Sequence, residues 1–271
     1  MPELPEVETT VRGLARVLDG QRIERVEARR GDLRRSFPPD LVQSLTGARV
    51  TGLGRRAKYG LIHTDRGRTL VFHLGMSGRW RIDPETLDKH DHLVIETARH
   101  RLALNDARRF GSIDLVDEAA LADWPAFRTL GPEPLGEALT PAHLRAATRD
   151  RKPAIKLLLL DQQVVAGLGN IYVCEALWRA LIDPRKAGGK VTGPQLARLV
   201  PAIREVLEQS IADGGSTLRD FVQPDGELGY FASRFDVYGR EGAVCARGDG
   251  GTIRRIVQGG RSTWFCPRCQ R

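Results

Sequence analysis

The sequence predicts an α+β chain of several domains: a β-sandwich or barrel first, a helical half after it, and a β-ribbon at the end. Three observations predict it. Short alternating apolar and polar runs, punctuated by turns, fill residues 22–116. From Leu121 the apolar spacing changes to the helical period of about 3.6 residues. Of the four cysteines, Cys245, Cys266 and Cys269 crowd at the end, which is the pattern of a metal site rather than of a disulfide framework. At 271 residues the chain is long enough for more than one core.

The elements follow in order. Leu4, Val7, Val11, Leu14, Ala15 and Leu18 recur at helical spacing, with Pro5 where a helix start favours proline and Glu6 and Glu8 in the first turn. An amphipathic helix beginning at Pro5 would hold Pro2 and Glu3 at its entrance. Strands are expected at 22–28, 48–53, 60–64, 69–74, 78–82, 92–96, 101–105 and 113–116, with turns at Asp65-Arg66-Gly67 and Gly111. Trp124-Pro125 and Gly131-Pro132-Glu133-Pro134 read as a connecting segment. Helices are expected from Thr140-Pro141, at 154–161, at 171–180 and, most clearly, at 194–213. A Gly/Asp-rich loop at 214–230 precedes the ribbon, which begins near Tyr238.

Charge narrows the function. The formal net charge is +8, with 42 Lys+Arg, and only Lys58, Lys89, Lys152, Lys156, Lys186 and Lys190 are lysine. Such a balance favours a polyanionic partner, and arginine makes forked contacts with phosphates and guanine edges. No apolar run reaches the ~20 residues that span a bilayer. The acidic, amphipathic N-terminus is unlike a signal peptide. A cytoplasmic protein without a membrane partner is expected.

The N-terminus carries a chemical opportunity. Loss of Met1 would leave Pro2 with a free secondary amine beside the Glu3 carboxylate. A terminal amine titrates near pKa ~8, a lysine near ~10.4, so the former is far more often unprotonated at neutral pH. Condensed with a sugar aldehyde, a secondary amine gives an iminium that cannot shed its charge from nitrogen, which makes it a strong electron sink.

Several motifs occur together: Met1-Pro2-Glu3-Leu4-Pro5-Glu6-Val7-Glu8-Thr9, His73-Leu74-Gly75-Met76-Ser77-Gly78 and Asp106-Ala107-Arg108-Arg109-Phe110-Gly111. Gly167-Leu168-Gly169-Asn170-Ile171-Tyr172, Gln223-Pro224-Asp225-Gly226 and Tyr238-Gly239-Arg240-Glu241-Gly242 follow in the same order. In this series the chain resembles the bacterial formamidopyrimidine-DNA glycosylases, bifunctional enzymes that remove oxidised purines from DNA. The resemblance runs from Pro2 to Arg271. It implies an N-terminal β-sandwich flanked by helices (1–131), a helix–two-turn–helix domain with a base-capping loop (132–237) and a zinc-finger-like ribbon (238–271), with double-stranded DNA in the cleft and the protein acting as a monomer.

The resemblance also implies roles. Pro2 attacks C1′ of a flipped nucleotide, and Glu3 protonates the sugar ring oxygen, for which it must hold a proton near neutral pH. Glu6 supports the site. Lys58 approaches the phosphates of the flipped nucleotide. His73, Arg109, Lys156, Asn170 and Arg261 contact DNA. Met76, Arg108 and Phe110 fill the gap left by flipping, Phe110 as a wedge and Arg108 on the orphaned cytosine. Thr217, Leu218, Arg219 and Tyr230 belong to the base-capping loop, a hinged lid. No catalytic cofactor is needed.

The metal motif departs from the family. Cys245 and Cys266-Pro267-Arg268-Cys269 match, but the fourth cysteine is replaced by Gly248. A structural zinc site takes four ligands, and the neighbouring Asp249 could supply the missing one. Without zinc, the ribbon would rest on packing of Ile253, Ile256, Val257, Trp264 and Phe265. His90-Asp91-His92 is expected to be structural, and Cys174 a small buried residue. The sister family, endonuclease VIII, shares the N-terminal proline, but Leu4 and the Arg108-Arg109-Phe110 run favour the purine enzyme. Retention of Pro2, Glu3, Glu6, Lys58 and Asn170 disfavours a binding module without catalysis.

Overall fold

The computed structural model describes residues 2–216 and 223–271. The chain forms two compact units, residues 1–128 with 211–232 and residues 129–210 with 233–271. The segment that leads to and from the expected capping loop therefore belongs to the same unit as the N-terminus.

The first unit opens with α1 (Leu4–Leu18), whose N-cap is Glu3, one residue earlier than Pro5 suggests. The reason is a capping box. The Glu3 carboxylate accepts the Glu6 N–H, and Glu6 returns the bond to the Glu3 N–H. Val7, Val11, Leu14 and Leu18 line the buried face.

Two antiparallel sheets follow. One has the order β2–β3–β4–β8, from β2 (Val50–Arg56), β3 (Tyr59–Thr64), β4 (Arg68–His73) and β8 (Ser112–Asp117). The other has the order β1–β6–β7–β5, from β1 (Arg25–Ala28), β5 (Arg79–Ile82), β6 (Asp91–Glu96) and β7 (Arg101–Asn105). Ile62, Leu70 and Phe72 of the first sheet share one core with Trp80, Leu93, Ile95, Leu102 and Leu104 of the second and with α1. Phe72 and Trp80 meet edge to face at 5.6 Å. The sandwich reading holds. The short helices α2 (Leu41–Leu45) and α3 (Pro125–Arg128) fall in stretches too brief to show periodicity.

The second unit contains α4 (Pro141–Thr148), α5 (Ile155–Leu160), α6 (Asn170–Arg179) and α7 (Gly193–Ala212), whose last residues pass into the first unit. Thr140 caps α4 by accepting the His143 N–H. The ribbon is β9 (Arg254–Gln258) paired with β10 (Arg261–Phe265). Its base is packed by Cys174, Trp178, Val237, Cys245, Ile253 and Cys266, with Tyr238, Trp264 and Cys269 at the margin. Val257, which would join that packing were the ribbon to fold without zinc, is 67 % exposed. The buried Glu175 carboxylate accepts the N–H groups of Asp236, Val237 and Tyr238, fixing the chain where the ribbon begins. Among the described residues no helix is long and apolar enough to cross a membrane.

Candidate active site and nucleic-acid interface

Pro2, Glu3 and Glu6 are all buried at the N-terminus of α1. Glu6 does two jobs with one carboxylate. Its Oε2 accepts the Glu3 N–H at 2.8 Å and its Oε1 accepts the Ser216 N–H at 2.8 Å. Ser216 forms an isolated bridge with Tyr230, and Phe231 N–H donates to the Gly215 carbonyl. The N-terminus of α1 and the segment around Ser216 are thus tied by one side chain. Tyr230 is 63 % exposed. Thr217, Leu218 and Arg219 lie outside the described residues.

Lys58 lies in the turn between β2 and β3, buried to 7 % exposure. Nearby, His73 ends β4. Its Nδ1 accepts the Gly75 N–H at 3.0 Å, so the neutral ring carries its proton on Nε2. Burial, then the charges of Lys58, Arg34 and Arg35, push its pKa down to about 4. It is therefore a neutral hydrogen-bond donor at physiological pH, set among cations that favour an anion.

Two loops, 74–78 and 106–111, carry the residues expected to fill the stack. Met76 and Phe110 are exposed apolar side chains, and the Arg108 guanidinium lies 4.9 Å over the Phe110 ring. Arg109 is exposed and adopts φ +56°. The loops are joined by Asp106, which is fully buried. Its Oδ1 accepts the Ser77 hydroxyl at 2.6 Å and its Oδ2 the Gly111 N–H at 2.8 Å, while Ser77 Oγ accepts the Arg108 N–H at 3.1 Å. Gly75 completes the junction. It has φ +61°, and a Cβ there would sit 2.4 Å from the Phe110 carbonyl carbon. Sequence reasoning assigned no role to Asp106 or Ser77. The signal was there, a carboxylate opening one loop motif and a hydroxyl inside the other, but nothing in the sequence paired them.

In the second unit, Asn170 is the first residue of α6, after the N-cap Gly169. Helix N-termini present unbonded N–H groups and favour anions. The Asn170 Nδ2 donates to the Ser262 carbonyl at 2.9 Å. Lys156 grips the same place: its Nζ donates to the Ser262 carbonyl at 3.1 Å and the Thr263 hydroxyl at 2.6 Å. Lys156, expected to contact DNA, is wholly buried. Arg261, one residue before Ser262, is exposed at the fingertip turn formed by Gly259 and Gly260.

Cys245, Asp249, Cys266 and Cys269 bring one ligand atom each within 4.8 Å of one another. Zinc bound to sulfur at ~2.3 Å in a tetrahedron gives S···S edges near 3.8 Å and slightly shorter S···O edges. The Cys245 and Cys269 sulfurs are 3.9 Å apart, and Cys266 Sγ lies 3.5 Å from Asp249 Oδ2. These residues fit zinc. Gly248 does not replace the missing ligand. With φ +67° it turns the chain left-handed, so the following residue, Asp249, faces the sulfurs. The Gly251 N–H holds the Asp249 carboxylate below its usual pKa. Burial, then the neighbouring thiols, push Cys269 well above its own.

His90-Asp91-His92 holds structure. Asp91 accepts from Arg81 at 2.7 Å, Asn105 at 2.8 Å and the Asp88 N–H at 2.7 Å, while a His92 ring nitrogen bonds the Asp106 carbonyl. Cys174 is buried among apolar neighbours.

Comparison with known proteins agrees with this geometry. Residues 1–113 match the formamidopyrimidine-DNA glycosylase N-terminal domain, residues 130–222 its H2TH domain, and residues 250–271 a zinc finger found in FPG and IleRS. The chain is 71 % identical to the formamidopyrimidine-DNA glycosylases of Erythrobacter litoralis and Novosphingobium aromaticivorans, covering all of each. A Lactococcus lactis Fpg in complex with abasic-site DNA aligns over the whole of both chains at TM-score 0.91 and 36 % identity. The Thermus thermophilus MutM (Fpg) protein aligns over 99 % of this chain and 98 % of its own, at 0.89 and 39 %. With all three domain models met in order and full-length relatives at this identity, the chain belongs to the formamidopyrimidine-DNA glycosylase family.

Proposed function

We propose that this protein is a base-excision repair DNA glycosylase and AP lyase acting on oxidised purines, 8-oxoguanine and formamidopyrimidines, in double-stranded DNA. The observation that carries the reading is the buried Pro2–Glu3–Glu6 entrance of α1, with Glu6 bonded to both the Glu3 and Ser216 N–H groups. After Met1 is removed, the Pro2 nitrogen attacks C1′ of the flipped nucleotide and the damaged base leaves. Glu3 delivers a proton to the ring oxygen, opening the sugar to an iminium. Loss of a C2′ proton expels the 3′ phosphate, and a second elimination expels the 5′ phosphate. Glu6 holds Glu3 in place, and Lys58 meets the phosphates of the flipped nucleotide.

DNA contacts divide between backbone and stack. His73 donates Nε2–H to a phosphate, the α6 N-terminus at Asn170 receives another, and Arg109 and Arg261 supply charge. Lys156 acts indirectly, setting Arg261 by holding Ser262. Met76, Arg108 and Phe110 occupy the vacated position in the duplex. Tyr230 and the residues 217–219 cover the flipped base. Cys245, Asp249, Cys266 and Cys269 would hold zinc, which would supply a structural cross-link, and the reaction itself uses no cofactor. Functionally the chain divides into a catalytic sandwich (1–131), a helix–two-turn–helix domain with its capping loop (132–237) and the ribbon (238–271). It works as a cytoplasmic monomer.

Borohydride trapping tests the reading. A covalent adduct with duplexes containing 8-oxoguanine, lost in Pro2→Gly, is expected. Adduct only with oxidised pyrimidines, or full activity in Pro2→Gly, would overturn it. Intact mass of the active protein should correspond to a chain starting at Pro2.

A further inference from the structure

We propose that Glu8 and Arg55 are positioning residues that set Lys58 against the catalytic N-terminus, an inference that rests on the functional reading above. The reaction draws on two separate elements. α1 carries Pro2, Glu3 and Glu6 at its start, whereas Lys58 sits on the turn between β2 and β3. Something must fix the distance between them, because misplacement by about 1 Å can cost on the order of a hundredfold in rate.

Arg55 spans that gap. Its Nε donates to Glu8 Oε2 at 2.9 Å, on α1, and its Nη1 donates to the Ala57 carbonyl at 2.9 Å, in the turn itself. One rigid guanidinium is thus forked between helix and turn, a geometry that lysine's single point charge cannot copy. The turn needs such a hold. Ala57 adopts φ +53°, a left-handed conformation that L-residues resist, immediately before Lys58. The Arg55 side chain is only 9 % exposed, so its bonds are sheltered from competing water.

Glu8 is itself braced. Its other oxygen accepts from Arg12 Nε at 2.9 Å, at i+4 on the same helix. Burial pushes the Glu8 carboxyl up, but the two guanidiniums outweigh it and hold the group below its ordinary value. The carboxylate therefore stays ionised wherever the enzyme works. None of Glu8, Arg12 and Arg55 is required to touch the reacting atoms; they act through Lys58.

The test is a double-mutant cycle on single-turnover adduct formation, with melting temperature and affinity for an uncleavable abasic-analogue duplex measured alongside. Glu8→Gln and Arg55→Lys are each expected to slow adduct formation by about tenfold to a hundredfold, with melting close to the parent's. In a Lys58→Ala background, Glu8→Gln should cost nothing further, because the residue it positions is gone. Should Glu8→Gln melt far below the parent, Arg55→Lys, which keeps the charge, carries the same cycle. Additive losses in the double variant, or parent-like rates in both single variants, would overturn the strut and leave the functional reading standing. Absence of any adduct from the parent protein would overturn both.

Discussion

At the scale of single residues, the site is a set of polar groups each with a fixed protonation or partner. His73 is the clearest titration case. Its folded pKa of about 4 lies below the ordinary ~6.5, chiefly through burial. Below ~6.5 the unfolded chain takes up the proton and the folded chain does not, so stability falls as pH drops from there towards about 4. Urea unfolding across that range should show the loss, and His73→Gln should lose most of it. Asp106 is a second case. Asn in its place offers one acceptor where two donors, from Ser77 and Gly111, need satisfying. Asp106→Asn should destabilise by about 1–3 kcal/mol in thermal or urea melts.

At the scale of elements, the 106–111 loop that carries Phe110, the proposed wedge, and the ribbon are each held from behind. Gly75→Ala adds a Cβ against the Phe110 carbonyl and demands a left-handed backbone. The expected result is a displaced wedge, read as a weaker fluorescence rise from 2-aminopurine placed beside the lesion, with the N-terminal amine still able to react at abasic sites. The ribbon depends on its ligand set. About one zinc per chain should be found by elemental analysis, and Asp249→Ala should lose it, because three thiolates leave a structural site incomplete. Much of this was legible in the sequence: strands and long helices fell within a few residues of their expected positions, since alternation and the helical period survive folding. What was not legible were pairings across the chain. Lys156 carries the charge of a DNA contact, yet a sheltered carbonyl and hydroxyl on β10 take its ammonium. Glu6 meets Ser216 across 210 positions, a distance no motif spans.

At the scale of the whole molecule, a net charge of +8 on an arginine-rich surface sets the salt response. Binding through roughly 6–10 phosphate contacts should weaken by about 10³–10⁵ between about 50 and 200 mM salt. Fluorescence anisotropy on a lesion duplex should give a linear fall of log affinity against log salt, and a flat line would exclude phosphate contacts as the main attraction. The sequence alone determined the chemical inventory: an amine that proline can free, carboxylates beside it, a lysine in a hairpin turn, and cysteines grouped for a metal. It determined the periodic elements too, because local pattern dictates which face is apolar. Only the tertiary structure decided which partner each polar group would take. It turned Glu6 into a tie between Glu3 and Ser216, Asp106 into a brace between two loops, and set the Asp249 carboxylate among the three sulfurs. Hydrogen bonds reach only about 3 Å, and the residues that close to one another are chosen by the folded chain rather than by their order along it.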